Sequence, residues 1–149
     1  MKRLLLNPLT WMLCLISPGS WAVDAIYTPW YNNLAIKGYD PVAYFVGNSA
    51  VEGLADHEYE WQGATWRFAN AEHRQRFIDN PEAYAPQYGG YCAYAVATGK
   101  TAGIDPSQFS VVDGKLYLNF NRRIQQRWVA ERDDFIMAAD RNWPGIRDK

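Results

Sequence analysis

Two side chains of this sequence, a thiol and an imidazole, have the chemistry of soft-metal ligands. Cys92 lies in the segment YGGYCAY at residues 88–94, where two glycines permit backbone angles that suit a site loop or a tight turn. His73 is expected at the third position of a helix capped by Asn70, where the helix dipole favours the neutral imidazole. Thiolate and imidazole together suit copper or zinc. The sequence therefore predicts a metal site at His73 and Cys92, with a copper or zinc ion as its cofactor.

The same residues also allow other roles. Cys92 could act as a thiolate in a redox protein or enzyme, or pack as a small buried hydrophobe. His73 could equally be a partly exposed histidine with no ligand. Tyr88 and Tyr91 could line a pocket for a small organic ligand, or pack in a core. Three hypotheses remain open: a metal- or small-ligand-binding protein, a thiol-dependent enzyme or redox protein, and an interaction module without a metal site.

Residues 1–22 have the pattern of a secretory signal peptide. A basic start is followed by a largely apolar stretch over residues 4–16, and Ser20 and Ala22 are the small residues that a signal peptidase requires. The apolar stretch is short for a membrane span, although an uncleaved anchor is the alternative. The pattern predicts a periplasmic or secreted protein that begins at Val23 and has no membrane span after cleavage.

Charge and cysteine content restrict the partners. The full chain has 15 basic and 16 acidic residues, and Lys2 and Arg3 leave with the signal segment, so the mature charge is near −3. This balance, with no basic stripe, argues against a nucleic-acid partner. Cys92 is the one cysteine that follows the segment, so the mature chain cannot form an intramolecular disulfide. The partner is expected to be a metal ion or a small ligand.

A β-hairpin followed by a helix is predicted in the middle of the chain. Aromatic and polar residues alternate over 58–61 and again over 64–68, with a tight turn at Gly63 between them. Asn70 then caps a helix over residues 71–78. Further towards the N-terminus, Asp40 is expected to cap a short helix.

A second hairpin and helix are predicted about fifty residues later. A shift of 51 residues places Gly63 on Gly114 and Asn70 on Asn121, which a duplication or ordinary turn and cap chemistry would explain. The predicted fold is α+β, with two β-hairpin–helix units around one aromatic-rich core. The large aromatic residues expected to share that core are Trp66, Phe68, Phe77, Tyr117 and Trp128.

Residues 40–84 resemble the YHS domain family, whose members are small modules often associated with metal. The matching residues are Asp40-Pro41-Val42, Gly63, Thr65, Trp66, Phe68, Phe77 and Asn80-Pro81-Glu82-x-Tyr84. Three positions that hold cysteine in the family pattern are occupied here by Ala43, Ala69 and His73. The resemblance implies a YHS-like domain over 38–149, after a lead-in segment over 23–37 and with a C-terminal hairpin–helix extension. It also implies that any surviving metal site uses His73 and recruits a ligand such as Cys92 from elsewhere.

Overall fold

The computed structural model describes residues 22–149 and consists of two β-hairpins interleaved with six α-helices. The strands are β1 (Leu54–Trp61), β2 (Ala64–Phe68), β3 (Asp105–Val112) and β4 (Lys115–Asn119). The helices are α1 (Ala43–Val46), α2 (Ala71–Asp79), α3 (Pro81–Tyr84), α4 (Ala93–Ala97), α5 (Arg122–Ala130) and α6 (Arg132–Arg147). The predicted α+β class with two hairpin–helix units is confirmed. The predicted signal segment lies outside the described residues, apart from Ala22.

Each hairpin closes through the turn that its sequence predicts. β1 pairs antiparallel with β2, and β3 pairs antiparallel with β4. Gln62 and Gly63 have φ of 48° and 77°, and Asp113 and Gly114 have φ of 52° and 73°. Two successive positive φ values are typical of a type I′ turn, whose twist matches that of the flanking strands.

The second unit repeats the first at a constant distance of 51 residues. β1, β2 and α2 return as β3, β4 and α5 with the same lengths. Both hairpins contain a register shift in the first half of their first strand, at equivalent positions. Asn70 accepts the N–H of His73 at 2.8 Å, and Asn121 accepts the N–H of Ile124 at 2.9 Å. The helix caps therefore repeat together with the strands.

A side-chain contact at the register shift repeats as well. The guanidinium of Arg74 donates to the carbonyl of Glu58 at 2.6 Å. The amide of Gln125 donates to the carbonyl of Phe109 at 2.9 Å. Donor and acceptor in the second pair each lie 51 residues after their counterparts in the first. A register shift interrupts the pairing of the strands and leaves backbone groups without a strand partner. In both units a side chain of the following helix donates to a carbonyl at this point, which attaches the helix to its hairpin.

The repeat also includes the segments before the hairpins. Short 3₁₀ turns at Ala35–Gly38 and Gln87–Gly90 each contain three consecutive residues with positive φ. Each turn is followed by a tyrosine and one further residue, and a short helix begins three residues later in the first unit and directly afterwards in the second. That further residue is Asp40 before α1 and Cys92 before α4. This part of the repeat, which is offset by 52 residues, was not predicted from the sequence.

The five aromatic residues expected in the core are all buried, with exposed fractions between 0 and 3%. They divide between two neighbouring clusters, where the sequence predicted a single shared core. Trp66, Phe68 and Phe77 belong to the first cluster, and Tyr117 and Trp128 belong to the second. Tyr27 and Tyr94 pack against both clusters and so connect them. The long helix α6 packs against α4.

Over residues 22–149, no helix combines the length and the apolar character needed to cross a bilayer.

Candidate functional site

Cys92 is buried, with 1% of its surface exposed. Its sulfur lies 3.5 Å from Oδ1 of Asn119, to which the thiol can donate, and the same oxygen accepts the N–H of Tyr94 at 3.1 Å. Burial raises the pKa of the Cys92 thiol, and this outweighs the lowering effect of hydrogen bonds from the N–H groups of Tyr94, Ala95 and Phe120. A reactive cysteine is accessible to solvent and readily forms the thiolate, and a buried thiol that keeps its proton does neither. This environment favours a packing role over a thiolate role.

His73 contacts a buried carboxylate. Its Nδ1 atom lies 2.6 Å from Oδ2 of Asp40. The Asp40 side chain is fully buried, whereas 16% of the His73 side chain is exposed. Because a carboxylate accepts the hydrogen, Nδ1 is the protonated nitrogen of a neutral His73 ring, and Nε2 then has the free lone pair.

The Asp40 carboxylate is held by four donors. Oδ1 accepts the N–H groups of Val42 and Ala43 at 2.8 and 3.3 Å. Oδ2 accepts the N–H of Ala69 at 2.9 Å, in addition to His73. A buried carboxylate is tolerated when its lone pairs are satisfied in this way. As the sequence predicted, Asp40 accepts N–H groups where α1 begins, but α1 starts at Ala43 and its N-cap residue is Val42. The same side chain also connects this segment to the end of β2 and to α2.

The two predicted metal ligands have different polar partners. His73 contacts Asp40, whereas Cys92 contacts Asn119. Within the part of the chain that the structure describes, no group of three or more His, Cys, Asp and Glu side chains is placed to hold a metal ion. A shared site at His73 and Cys92 therefore stays a prediction, and two protein ligands would need water or a further ligand to complete it.

An open cleft of about 440 Å³ lies between the two units. Its wall includes Trp61 at the end of β1, Glu82 in α3, Tyr88 in the second 3₁₀ turn, Lys115 at the start of β4, and Asp140 and Trp143 in α6. Elements from both hairpin–helix units thus enclose one space.

Tyr88 and Tyr91, the two tyrosines predicted to bind a ligand, differ in position. Tyr88 lines the cleft, and its hydroxyl donates to Oδ1 of Asp140 at 2.8 Å. Burial, the hydrogen bond to Asp140 and the negative charge of that carboxylate all raise the pKa of Tyr88. Tyr91 is not part of the cleft wall, and its hydroxyl donates to the carbonyl of Asp24 at 3.0 Å. The structure therefore places Tyr88, but not Tyr91, where it can contact a ligand in this cleft.

Two indole rings of the cleft wall are held in place by the aromatic clusters. The ring of Trp61 meets that of Phe77 edge to face, with centroids 5.6 Å apart. The ring of Trp143 packs against that of Tyr91, with centroids 5.8 Å apart. Both indoles are only half-buried, so part of each remains available to a ligand. Tyr91 therefore supports the wall from behind.

Gly89 allows the N-terminal segment to complete the cleft. A Cβ atom at this position would lie 2.0 Å from the carbonyl oxygen of Ala25. The N–H of Tyr27 donates to the carbonyl of Gly89 at 2.8 Å, which holds the segment across the turn. Ala25 and Ile26 consequently form part of the cleft wall. Gly89 thus permits a close crossing of two chain segments.

Comparisons of the chain with protein-family models, with curated proteins and with solved structures found no match. The resemblance to the YHS family accordingly stays a prediction drawn from residues 40–84.

Proposed function

We propose that this protein is an exported binding protein for a small organic ligand, and that the cleft at Tyr88 is its binding site. The observation that carries the proposal is the cleft itself, where Trp61 and Trp143 face the same space as the hydrogen-bonded pair Tyr88 and Asp140. Small-molecule sites are typically concavities of about 300–1,000 Å³ with aromatic walls and a few fixed polar groups. A volume of about 440 Å³ lies within that range.

The groups in the cleft favour binding over catalysis. Tyr88 keeps its proton because burial and Asp140 both raise its pKa, and it therefore acts as a hydrogen-bond donor that fixes the carboxylate. Cys92 and His73 do not form part of the cleft wall. The side chains that face a ligand are consequently suited to packing against it, donating to it and accepting from it.

A variant that fills the cleft tests this proposal. Protein purified from the periplasm would be analysed by native mass spectrometry for a retained ligand, and by thermal shift against a panel of small metabolites. A ligand at about 100 times its Kd stabilises the folded state by about 2.7 kcal/mol, which raises the melting temperature by several degrees. Ala25→Trp should abolish the response, because Ala25 lines the cleft. Ala71→Trp, at an exposed site outside the cleft, should preserve it. A response that persists in a folded Ala25→Trp protein would contradict the proposal.

Copper or zinc binding at His73 is the second candidate function. A histidine that donates from one ring nitrogen to a carboxylate is the usual arrangement of metal-binding histidines, and Asp40 provides that carboxylate at 2.6 Å. Metal content after dialysis against copper or zinc would test this candidate. His73→Ala should remove bound metal, whereas His57→Ala should retain it. If Cys92 completes the site, Cys92→Ser should lower metal content to the same extent as His73→Ala. Metal content that is unchanged by His73→Ala would exclude the candidate.

A further inference from the structure

We propose that the cleft at Tyr88 selects organic cations, namely amines and quaternary ammonium ions. This inference rests on the proposed function, because it assigns a ligand class to the same cleft. It is argued from the charges, the hydrogen bond and the indole rings of the cleft wall.

The charges of the wall favour a cation. Glu82 and Asp140 are exposed carboxylates at the cleft. Arg147 also lines the cleft, but its guanidinium is paired with Asp148 at 2.8 Å. Among the described residues, Lys115 is then the cation of the wall that has no ion pair there. Two carboxylates against one unpaired ammonium leave the cleft electronegative.

The hydrogen bond between Tyr88 and Asp140 prepares the carboxylate for a ligand. The Tyr88 hydroxyl fixes Oδ1 of Asp140 at 2.8 Å. Oδ2 of the same carboxylate has no hydrogen-bond partner within residues 22–149 and belongs to an exposed side chain. An oriented carboxylate with one free oxygen can accept an ammonium N–H, or attract a quaternary ammonium by charge. An anionic ligand would be repelled by the same group.

The indole rings provide the second element of recognition. The faces of Trp61 and Trp143 carry negative charge density, and indole is the side chain that attracts cations most strongly through its ring. Both rings are fixed by packing against Phe77 and Tyr91, so little conformational freedom is lost when a ligand binds. Aromatic rings combined with carboxylates are the recurring solution for recognising methylated ammonium groups.

A matched pair of probes tests the charge requirement. Choline carries a trimethylammonium group, and 3,3-dimethylbutan-1-ol replaces its nitrogen by carbon with the same shape and no charge. Titration calorimetry at low ionic strength should show choline binding at least about 10-fold more tightly than the neutral alcohol, because only the cation is attracted electrostatically to an indole face. Acetate, as an anionic probe, should not bind.

Three variants locate the binding. Asp140→Asn removes the charge but retains an oxygen that accepts the Tyr88 hydroxyl, and it should weaken choline binding at least about 5-fold. Trp143→Leu should weaken choline binding roughly 5- to 30-fold. Asp134→Asn, which removes an exposed acid of the same helix outside the cleft, should leave binding unchanged. The melting temperature of each variant establishes whether it is folded. If Trp143→Leu does not fold, Asp140→Asn is the decisive variant.

The outcomes separate the ligand class from the proposed function. Choline binding that falls in Asp140→Asn and persists in Asp134→Asn supports the inference. If the neutral alcohol binds as tightly as choline, or if folded Asp140→Asn binds choline normally, the cation preference is overturned and binding in the cleft still stands. If choline, the alcohol and the metabolite panel all fail to bind the wild-type protein, the inference and the proposed function fall together.

Discussion

Cys92 occupies, in the second hairpin–helix unit, the position that Asp40 occupies in the first. The Asp40 side chain accepts the N–H groups two and three residues later and the N–H of the first residue after β2. The equivalent N–H groups of the second unit, those of Tyr94, Ala95 and Phe120, lower the pKa of the Cys92 thiol. Ile124 stands where the first unit has His73. The Asp40 carboxylate thus has an imidazole partner, His73. The uncharged Cys92 thiol has no imidazole partner and contacts the amide oxygen of Asn119 instead. Asp40 satisfies the N–H two residues later with its own carboxylate, whereas the equivalent N–H of Tyr94 donates to Oδ1 of Asn119, which also contacts the Cys92 thiol.

We expect Asp40 to be among the side chains on which stability depends most. Asp40→Ala removes the acceptor of three backbone N–H groups and should lower the free energy of unfolding by about 3 kcal/mol or more. Urea unfolding followed by circular dichroism measures this loss. Asp56→Asn, at an exposed position of β1, should stay within about 0.5 kcal/mol of wild type. A loss below about 1 kcal/mol in Asp40→Ala would contradict the role of this carboxylate.

The buried thiol of Cys92 should make the protein less stable at alkaline pH. Burial raises the pKa of Cys92 above its ordinary value of 9.0, so the unfolded chain loses this proton at a lower pH than the folded chain does. The contribution of the protonated Cys92 thiol to stability is therefore fully present below the pKa of the unfolded chain, about 8.5 to 9, and it is lost as the pH rises towards the folded pKa. In that interval the free energy of unfolding should fall by up to about 1.4 kcal/mol per pH unit.

Urea denaturation between pH 7 and 10.5 would measure this dependence. Cys92→Ser should lack the part of the slope that begins near pH 8.5, since serine does not ionise there, while the tyrosine contributions at higher pH remain. Native Cys92 should also react with a thiol reagent at pH 7 far more slowly than the urea-unfolded chain. Rapid modification of the native protein, or equal slopes in wild type and Cys92→Ser, would show that the thiol is exposed.

Trp128 should contribute strongly to the second aromatic cluster. Its ring is fully buried, and Trp128→Ala should cost about 3–5 kcal/mol in the free energy of unfolding. The indole N–H is buried without a hydrogen-bond partner among the described residues, so Trp128→Phe removes an unsatisfied donor as well as volume and should cost clearly less. Thermal unfolding of both variants would measure the difference in stability between them. Trp30→Ala serves as the control, because Trp30 is 95% exposed. An unchanged melting temperature in Trp128→Ala would exclude the residue from the core.

The exported protein should begin at Val23. Ser20 and Ala22 provide the small residues that signal peptidase requires before the cleavage site. Intact mass measurement of periplasmic material would establish the N-terminus. Ala22→Arg should block cleavage and retain the full segment in the membrane fraction, whereas Ala25→Ser should be processed normally. A wild-type mass that includes residues 1–22 would instead indicate a membrane anchor.

The hairpins could be predicted from the sequence because their signals are local. Gly63 and Gly114 permit the positive φ that each turn requires, and Asn70 and Asn121 cap the helices within three residues. The sequence did not predict that the core divides into two clusters. The alternation of residues in strands and their spacing in helices identify which faces are buried, but not which buried faces pack against each other. The five aromatic residues were therefore correctly expected to be buried, and only their partners were missed.

The two polar pairs of the candidate sites could not be predicted, since each joins residues that are distant in sequence. Asp40 and His73 are 33 residues apart, and the turn before Asp40 holds Ile36 and Lys37 at positive φ, which such residue types rarely adopt. Tyr88 reaches Asp140 because α6 folds back over the second unit, and no signal in the sequence specifies that packing. Asp140 and Trp143 were accordingly absent from the predicted site.

The cleft wall includes residues near both ends of the described chain, Ala25 and Ile26 on one side and Arg147 on the other. An affinity tag fused close to either residue would emerge beside the opening and could occupy it or block entry. The turn at Gly99 offers an alternative, because Gly99 has no neighbouring atom within 4 Å of an added Cβ and Lys100 is exposed. Screens for the natural ligand should therefore use protein with an internal tag at this turn, or with terminal tags removed.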